Sequence, residues 1–301
     1  MCYTGGTGKL PFLQQKGYTV MTKLRLMSTN QWACDKNTPA WEQMGADCSY
    51  SARMPGFLRY YKETCPHVLG LQEVTAKMAD KLMRLFSEEQ LPFALLWGKD
   101  TPIIYRTDLF ELVDSTFLVY PEEFPGHEGC FNNSKTKSYN AAVLRIKETG
   151  KLFILMTTHL WWKNSDPASK SYQPYSDEAR AYQLGLAMDC LDRLQAKYGC
   201  PAVLMGDMNA QRHKPCIQLA FERGFGHGYD LAVEHRDEGN GHHYCFPDGY
   251  KGYTPGPAAN AIDHILVRGF AEGAVRTYDR YAPDYYMCLS DHIPVWIDVE
   301  I

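Results

Sequence analysis

Short apolar runs that stop abruptly at polar residues recur along the chain. Lys23-Leu24-Arg25-Leu26-Met27 stops at Ser28-Thr29-Asn30, and His67-Val68-Leu69-Gly70-Leu71 stops at Gln72-Glu73. Leu152-Phe153-Ile154-Leu155-Met156 runs into Thr157-Thr158-His159, and Pro201-Ala202-Val203-Leu204-Met205 into Gly206-Asp207-Met208-Asn209. Near the end, Ile262-Asp263-His264 leads into Ile265-Leu266-Val267, and Ser290-Asp291-His292 precedes a last strand. That strand alternates: Ile293, Val295, Ile297, Val299 and Ile301 share one face, and Pro294, Trp296, Asp298 and Glu300 the other. Runs that are apolar throughout predict strands covered on both sides by helices or by a second sheet.

Two stretches between them carry a helical period. Met78, Leu82, Leu85 and Phe86 fall on one face after Glu73. Leu184, Ala187, Met188, Leu191 and Leu194 define a second helix, with Asp177 and Glu178 at its start, where the helix dipole favours acids. Segments 101–120 and 139–160 read as successive strands with no helix between them. This mixture predicts an α/β sandwich with much antiparallel pairing rather than a strictly alternating parallel sheet.

Composition narrows the picture. The chain has 301 residues, with 31 Lys and Arg against 35 Asp and Glu, a formal net charge of −4. That is ordinary globular usage, and it excludes a disordered chain. It also speaks against coating nucleic acid non-specifically, since that mode needs many cations against phosphate. Lys135, Lys137, Lys163 and Lys170 are dispersed and form no basic stripe. No run reaches the length of a membrane span, and no apolar hairpin suggests membrane insertion. The ten cysteines are scattered without a CxxC pair, which gives structural zinc little support. With no apolar leader in the first stretch, a reduced, cytoplasmic, monomeric protein is expected; a secreted form with disulfides is the alternative. Gly5-Gly6-Thr7-Gly8-Lys9 resembles a phosphate loop but lacks the earlier Gly and the following Ser or Thr. Residues 1–20 are therefore expected to be an extension, with a single domain over 21–301.

The polar strand ends carry the chemistry. Glu73, Asp207, Asp263 and Asp291, gathered at one end of buried strands, would repel one another and lose hydration. A divalent cation relieves that. Carboxylates with an Asn carbonyl suit Mg²⁺ or Mn²⁺ better than zinc. Such a cation beside two histidines suits attack of water on a phosphate ester.

The order Ser28-Thr29-Asn30, Leu71-Gln72-Glu73-Val74, Thr157-Thr158-His159-Leu160, Gly206-Asp207-Met208-Asn209-Ala210, Ile262-Asp263-His264 and Ser290-Asp291-His292 resembles the endonuclease/exonuclease/phosphatase superfamily. That group includes deoxyribonuclease I, apurinic endonucleases, deadenylases, inositol-polyphosphate phosphatases and bacterial sphingomyelinases. The resemblance covers nearly the whole chain from Leu24 and points to a bacterial-type member. It implies a four-layer α/β/β/α sandwich, two mixed, mostly antiparallel sheets flanked by helices, with the site at the top between the sheets.

The resemblance also implies roles. Glu73 would be the main metal ligand, with Asn30 beside it and Asp291 as ligand or neighbour. Asp207 would orient or deprotonate the attacking water, and Asn209 would hydrogen-bond the phosphoryl group. His292 would contact the scissile phosphate, with Asp263 fixing its tautomer. His159 would bind phosphate or help protonate the leaving group. Asn140, Arg180 and Tyr105 sit where members place further functional residues.

Substrate choice in this group lies in loops. Trp161 and Trp162 directly follow the His159 strand, and Trp161 joins Asn140 and Arg180 as an expected substrate contact. Aromatics also crowd the loop Tyr244–Tyr253, beside His242 and His243. The expectation is a metal-dependent phosphoesterase acting on a phosphorylated small molecule. An endo- or exonuclease on DNA or RNA is the alternative, and a non-catalytic binding module of the same fold a minor one.

Overall fold

The computed structural model describes residues 22–33, 45, 47–236 and 261–301. The expected extension 1–20 and the loop Tyr244–Tyr253 with His242 and His243 lie outside the described residues. The strands in chain order are β1 (Lys23–Asn30), β2 (Val68–Gln72), β3 (Phe93–Leu96), β4 (Ile103–Arg106), β5 (Phe110–Val119), β6 (Ser138–Ile146) and β7 (Leu152–His159). They continue as β8 (Ala202–Asp207), β9 (Gly226–His227), β10 (Glu234–His235), β11 (Asp263–Arg268), β12 (Val275–Asp279) and β13 (Val295–Glu300). The helices are α1 (Tyr50–Thr64), α2 (Ala76–Glu88), α3 (Ser176–Tyr198), α4 (Pro215–Glu222) and the single turn α5 (Gly228–Leu231).

One sheet has the order β10-β12-β13-β1-β2-β4-β3 and the other β5-β6-β7-β8-β11-β9. Pairing is mostly antiparallel; β1–β2, β7–β8 and β10–β12 are parallel. Strand alternation makes three apolar layers. Leu26, Val203, Met205, Ile265 and Ile297 meet between the sheets. Ala202 and Leu204, on the opposite face of β8, pack with Leu184, Met188 and Leu191 of α3. Met27, Leu69 and Leu71 pack under α1 and α2 against Phe57, Met78 and Phe86. The result is the expected helix–sheet–sheet–helix sandwich.

Three details sharpen the sequence pattern. Strands β1, β7 and β8 run through their polar residues to Asn30, His159 and Asp207, which end strands in the interior of each sheet. The alternation of β13 has no solvent face: Trp296 packs under α1, and Asp298 is buried against Arg25 in a two-pronged ion pair. Helix α1 contains Pro55 and is capped at Ser49, whose Oγ accepts from Ala52 N–H.

Candidate active site

Strand register assembles the site. In the second sheet, His159 of β7 lies directly beside Asp207 of β8, which lies beside Asp263 of β11. Because side chains on paired residues project to the same face, these three residues point together into the gap between the sheets. Gly206 makes the pairing possible. It has φ of 142°, and a Cβ there would meet the Thr158 carbonyl oxygen at 1.9 Å. Only glycine lets β8 approach β7 this closely.

The first sheet supplies the facing side. Asn30 Nδ2 donates to Asp207 Oδ2 at 3.0 Å, joining the two sheets, and its Oδ1 accepts from Trp32 N–H at 2.9 Å. Below it, Gln72 Nε2 donates to Thr157 Oγ1 at 2.7 Å. Glu73 follows β2 with φ of 56°, and its Oε2 accepts from Ala33 N–H at 3.1 Å. Asn209 has φ of 48°, and its N–H returns to Asp207 Oδ1 at 2.9 Å. Left-handed backbone at non-glycine residues is strained by about 1–3 kcal/mol and clusters at functional sites. Here it turns both side chains into one cleft.

Each of the two imidazoles is backed by a carboxylate. His292 Nδ1 is 2.7 Å from Asp263 Oδ2, and its Nε2 is 3.8 Å from Asp207 Oδ2 and 3.9 Å from Asp291 Oδ1. Burial opposes charge on His292, but Asp263, Asp207 and Asp291 outweigh it and raise its pKa to about 10. His159 Nδ1 is 2.7 Å from Asp100 Oδ2, and its Nε2 is 3.4 Å from Asp207 Oδ2. Ser290 Oγ donates to Asn30 O and accepts from His292 N–H, tying the His292 loop to β1.

The cleft has a volume of about 590 Å³. Glu73, His159, Asp207, Asn209, Asp291 and His292 line it, together with Asp100, Ser134, Thr136, Lys137 and Trp162. Asp207, Asp263 and His292 bring ligand atoms within 4.8 Å of one another. His292 lies between the two carboxylates, which favour its charged form, so the three form a carboxylate–imidazolium–carboxylate triad. Glu73, Asp291 and Asn30 Oδ1 are hard oxygen donors of the kind Mg²⁺ or Mn²⁺ takes.

Three expected substrate contacts fall elsewhere. Trp161 is fully buried against Phe131, and the next residue, Trp162, 48% exposed, takes its place at the cleft. Arg180 is buried in α3, donating to the carbonyls of Trp161 and Lys163 and paired with Asp177. It braces the loop after β7 and does not line the cleft. Asn140 is buried between the sheets, with Nδ2 donating to Leu96 O at 3.1 Å. Tyr105 packs against the apolar layer between the sheets. Conversely, Asp100 and Lys137 line the site although no sequence motif marked them.

A family model described as Endonuclease/Exonuclease/phosphatase family matches residues 49–292, and the chain belongs to this family. Its fold resembles an endonuclease/exonuclease/phosphatase family protein of Bacteroides thetaiotaomicron at 18% identity and a TM-score of 0.70, covering 93% of this chain and 98% of that one. A second such protein, from Bacteroides vulgatus, is 21% identical with a TM-score of 0.69, covering 93% and 99%. A mannosyl-6-phosphatase of Bacteroides thetaiotaomicron is 18% identical with a TM-score of 0.67, covering 92% and 99%. No curated protein sequence matches the chain. Among the described residues, no helix is long and apolar enough to cross a membrane.

Proposed function

We propose that the chain is a divalent-metal-dependent phosphoesterase that hydrolyses a compact phosphorylated molecule. One observation carries this reading: Asp207 stands between two imidazoles, His292 and His159, each held by its own carboxylate, in a cleft that also holds Glu73 and Asp291. Glu73 and Asp291, with the Asn30 carbonyl, would hold Mg²⁺ or Mn²⁺. When bound, such a cation polarises the phosphoryl group and offsets its charge.

The chain's own residues divide the remaining work. Asp207 is aimed by Asn30 and by Asn209 N–H, so its carboxylate orients the attacking water and takes its proton. His292, kept charged by Asp263 and Asp207, presents Nε2–H to a non-bridging phosphate oxygen, where negative charge grows in the transition state. Asn209 steadies the same group. His159, oriented by Asp100, faces the leaving oxygen, which needs a proton as its bond to phosphorus breaks.

The fold shared with a mannosyl-6-phosphatase and the negative net charge favour a small substrate over a long polyanion. A panel of sugar phosphates, nucleotides, inositol phosphates and oligonucleotides, assayed with Mg²⁺ and Mn²⁺ and with chelator, tests this. Cation-dependent hydrolysis of the small esters is expected. Hydrolysis of oligonucleotides alone would select the nuclease alternative, and none with any ester would reject the reading.

A further inference from the structure

Lys137 is the one Lys or Arg lining the cleft among the described residues. It is 5% exposed, and its Nζ lies 2.5 Å from His159 Nε2. His159 Nδ1 is held by Asp100, so Nε2 is the ring nitrogen that meets the ammonium. A phosphate oxygen is a stronger acceptor for a desolvated ammonium than an imidazole is. The loop that carries Lys137 is braced from behind. Asn132 Nδ2 donates to the carbonyls of Tyr120 and Lys137, and its Oδ1 accepts from Lys137 N–H. Ser134 and Thr136, whose hydroxyls are 2.8 Å apart, face the cleft from the same loop.

We propose that Lys137, with the hydroxyls of Ser134 and Thr136, is a pocket for the dianionic phosphate of a monoester and gives the chain its preference for phosphomonoesters over diesters. The inference rests on the phosphoesterase reading and narrows its substrate class. A monoester carries close to two negative charges at neutral pH, because its second pKa is about 6. Glu73, Asp100, Asp207 and Asp291 line the cleft against the charged His292 and the cation of the phosphoesterase reading, so a second phosphate charge gains from a further cation at Lys137. A diester has one charge and gains less from Lys137. When the phosphate arrives, the ammonium turns from His159 Nε2 to a phosphate oxygen.

The test compares Lys137→Met and Lys137→Arg with the wild-type chain on p-nitrophenyl phosphate and bis(p-nitrophenyl) phosphate, and measures inorganic phosphate binding by calorimetry. Losing one charge-assisted hydrogen bond corresponds to about a 10- to 100-fold drop. That drop is expected in kcat/KM for the monoester and in phosphate affinity for Lys137→Met. Activity on the diester is expected to change less than about threefold, with partial recovery in Lys137→Arg. Equal losses on both esters, or unchanged phosphate binding, would overturn the inference while leaving the phosphoesterase reading intact. Phosphate binding that depends on Lys137 in a chain hydrolysing neither ester would reject that reading and support the pocket.

Discussion

Replacing Gly206 by alanine tests the register that builds the site. The new Cβ would lie 1.9 Å from the Thr158 carbonyl oxygen and 2.9 Å from its carbon and nitrogen, all backbone atoms that cannot swing away. Restoring van der Waals distance requires β7 and β8 to separate by about 1.5 Å. An L residue at φ of 142° adds strain of about 1–3 kcal/mol. Loosening one or two ladder bonds beside it adds about 0.5–1.5 kcal/mol each. Together these predict destabilisation of about 2–6 kcal/mol in urea unfolding. The same displacement moves Asp207 away from His159, and a misplacement of about 1 Å costs roughly 100-fold in rate. Gly150→Ala is the control, since φ there is 72° but nothing lies within 4 Å of a Cβ. It pays the backbone strain alone, about 1–2 kcal/mol, with activity retained. If Gly206→Ala loses no more stability and activity than Gly150→Ala, the register argument is wrong.

Other expectations follow from single contacts. Asp263→Asn removes the carboxylate at 2.7 Å from His292, so kcat should fall about 10- to 100-fold and the His292 pKa should drop from about 10; a kcat within twofold of wild type would count against the pairing. Arg180→Met should destabilise the fold by about 2–4 kcal/mol by leaving the carbonyls of Trp161 and Lys163 without their donor and Asp177 with Lys214 alone; a raised KM at full stability would instead restore it as a substrate contact. Burial lowers the pKa of His227 well below its ordinary value and that of His264 to about 4, so the unfolded chain binds protons first as pH falls. The stability set by these two histidines should be intact above about pH 6.5 and decline toward pH 4, where His264 alone removes about 3 kcal/mol, and His264→Gln should flatten the decline; the contribution of His292, whose pKa is raised, is present across this window and is lost only as pH rises toward 10. Urea unfolding between pH 7 and 4.5 checks the sign, and stability that rises on acidification would contradict it.

The fold and the ligand-type residues were legible because one physical rule produced both. An apolar run that ends in Asp, Asn, Glu or His marks a buried strand whose last side chain emerges at the end of the strand. Register then brings His159, Asp207 and Asp263 side by side, with Asn30 across the gap. Residues positioned by loops left no such trace. Asp100 follows β3 in a short turn, and Lys137 looked like one of several scattered lysines. Its one available signal was its place immediately before the buried strand β6, where an ammonium has little access to water. Trp161 and Trp162 were indistinguishable in sequence because both lie beyond the end of β7, where alternation no longer decides which ring faces in. Helix α1 escaped the helical pattern because Pro55 and Gly56 interrupt it; Gly56 instead accommodates Leu289, whose side chain packs where a Cβ would be.

The most direct test of the central claim is hydrolysis of a phosphate ester by the wild-type chain, Glu73→Ala and His292→Ala, each with Mg²⁺ and after chelation. The account predicts turnover only by the wild-type chain with the cation, abolished by chelator and recovered when Mg²⁺ is returned. Undiminished turnover in both variants, or in the chelated wild-type chain, would contradict it.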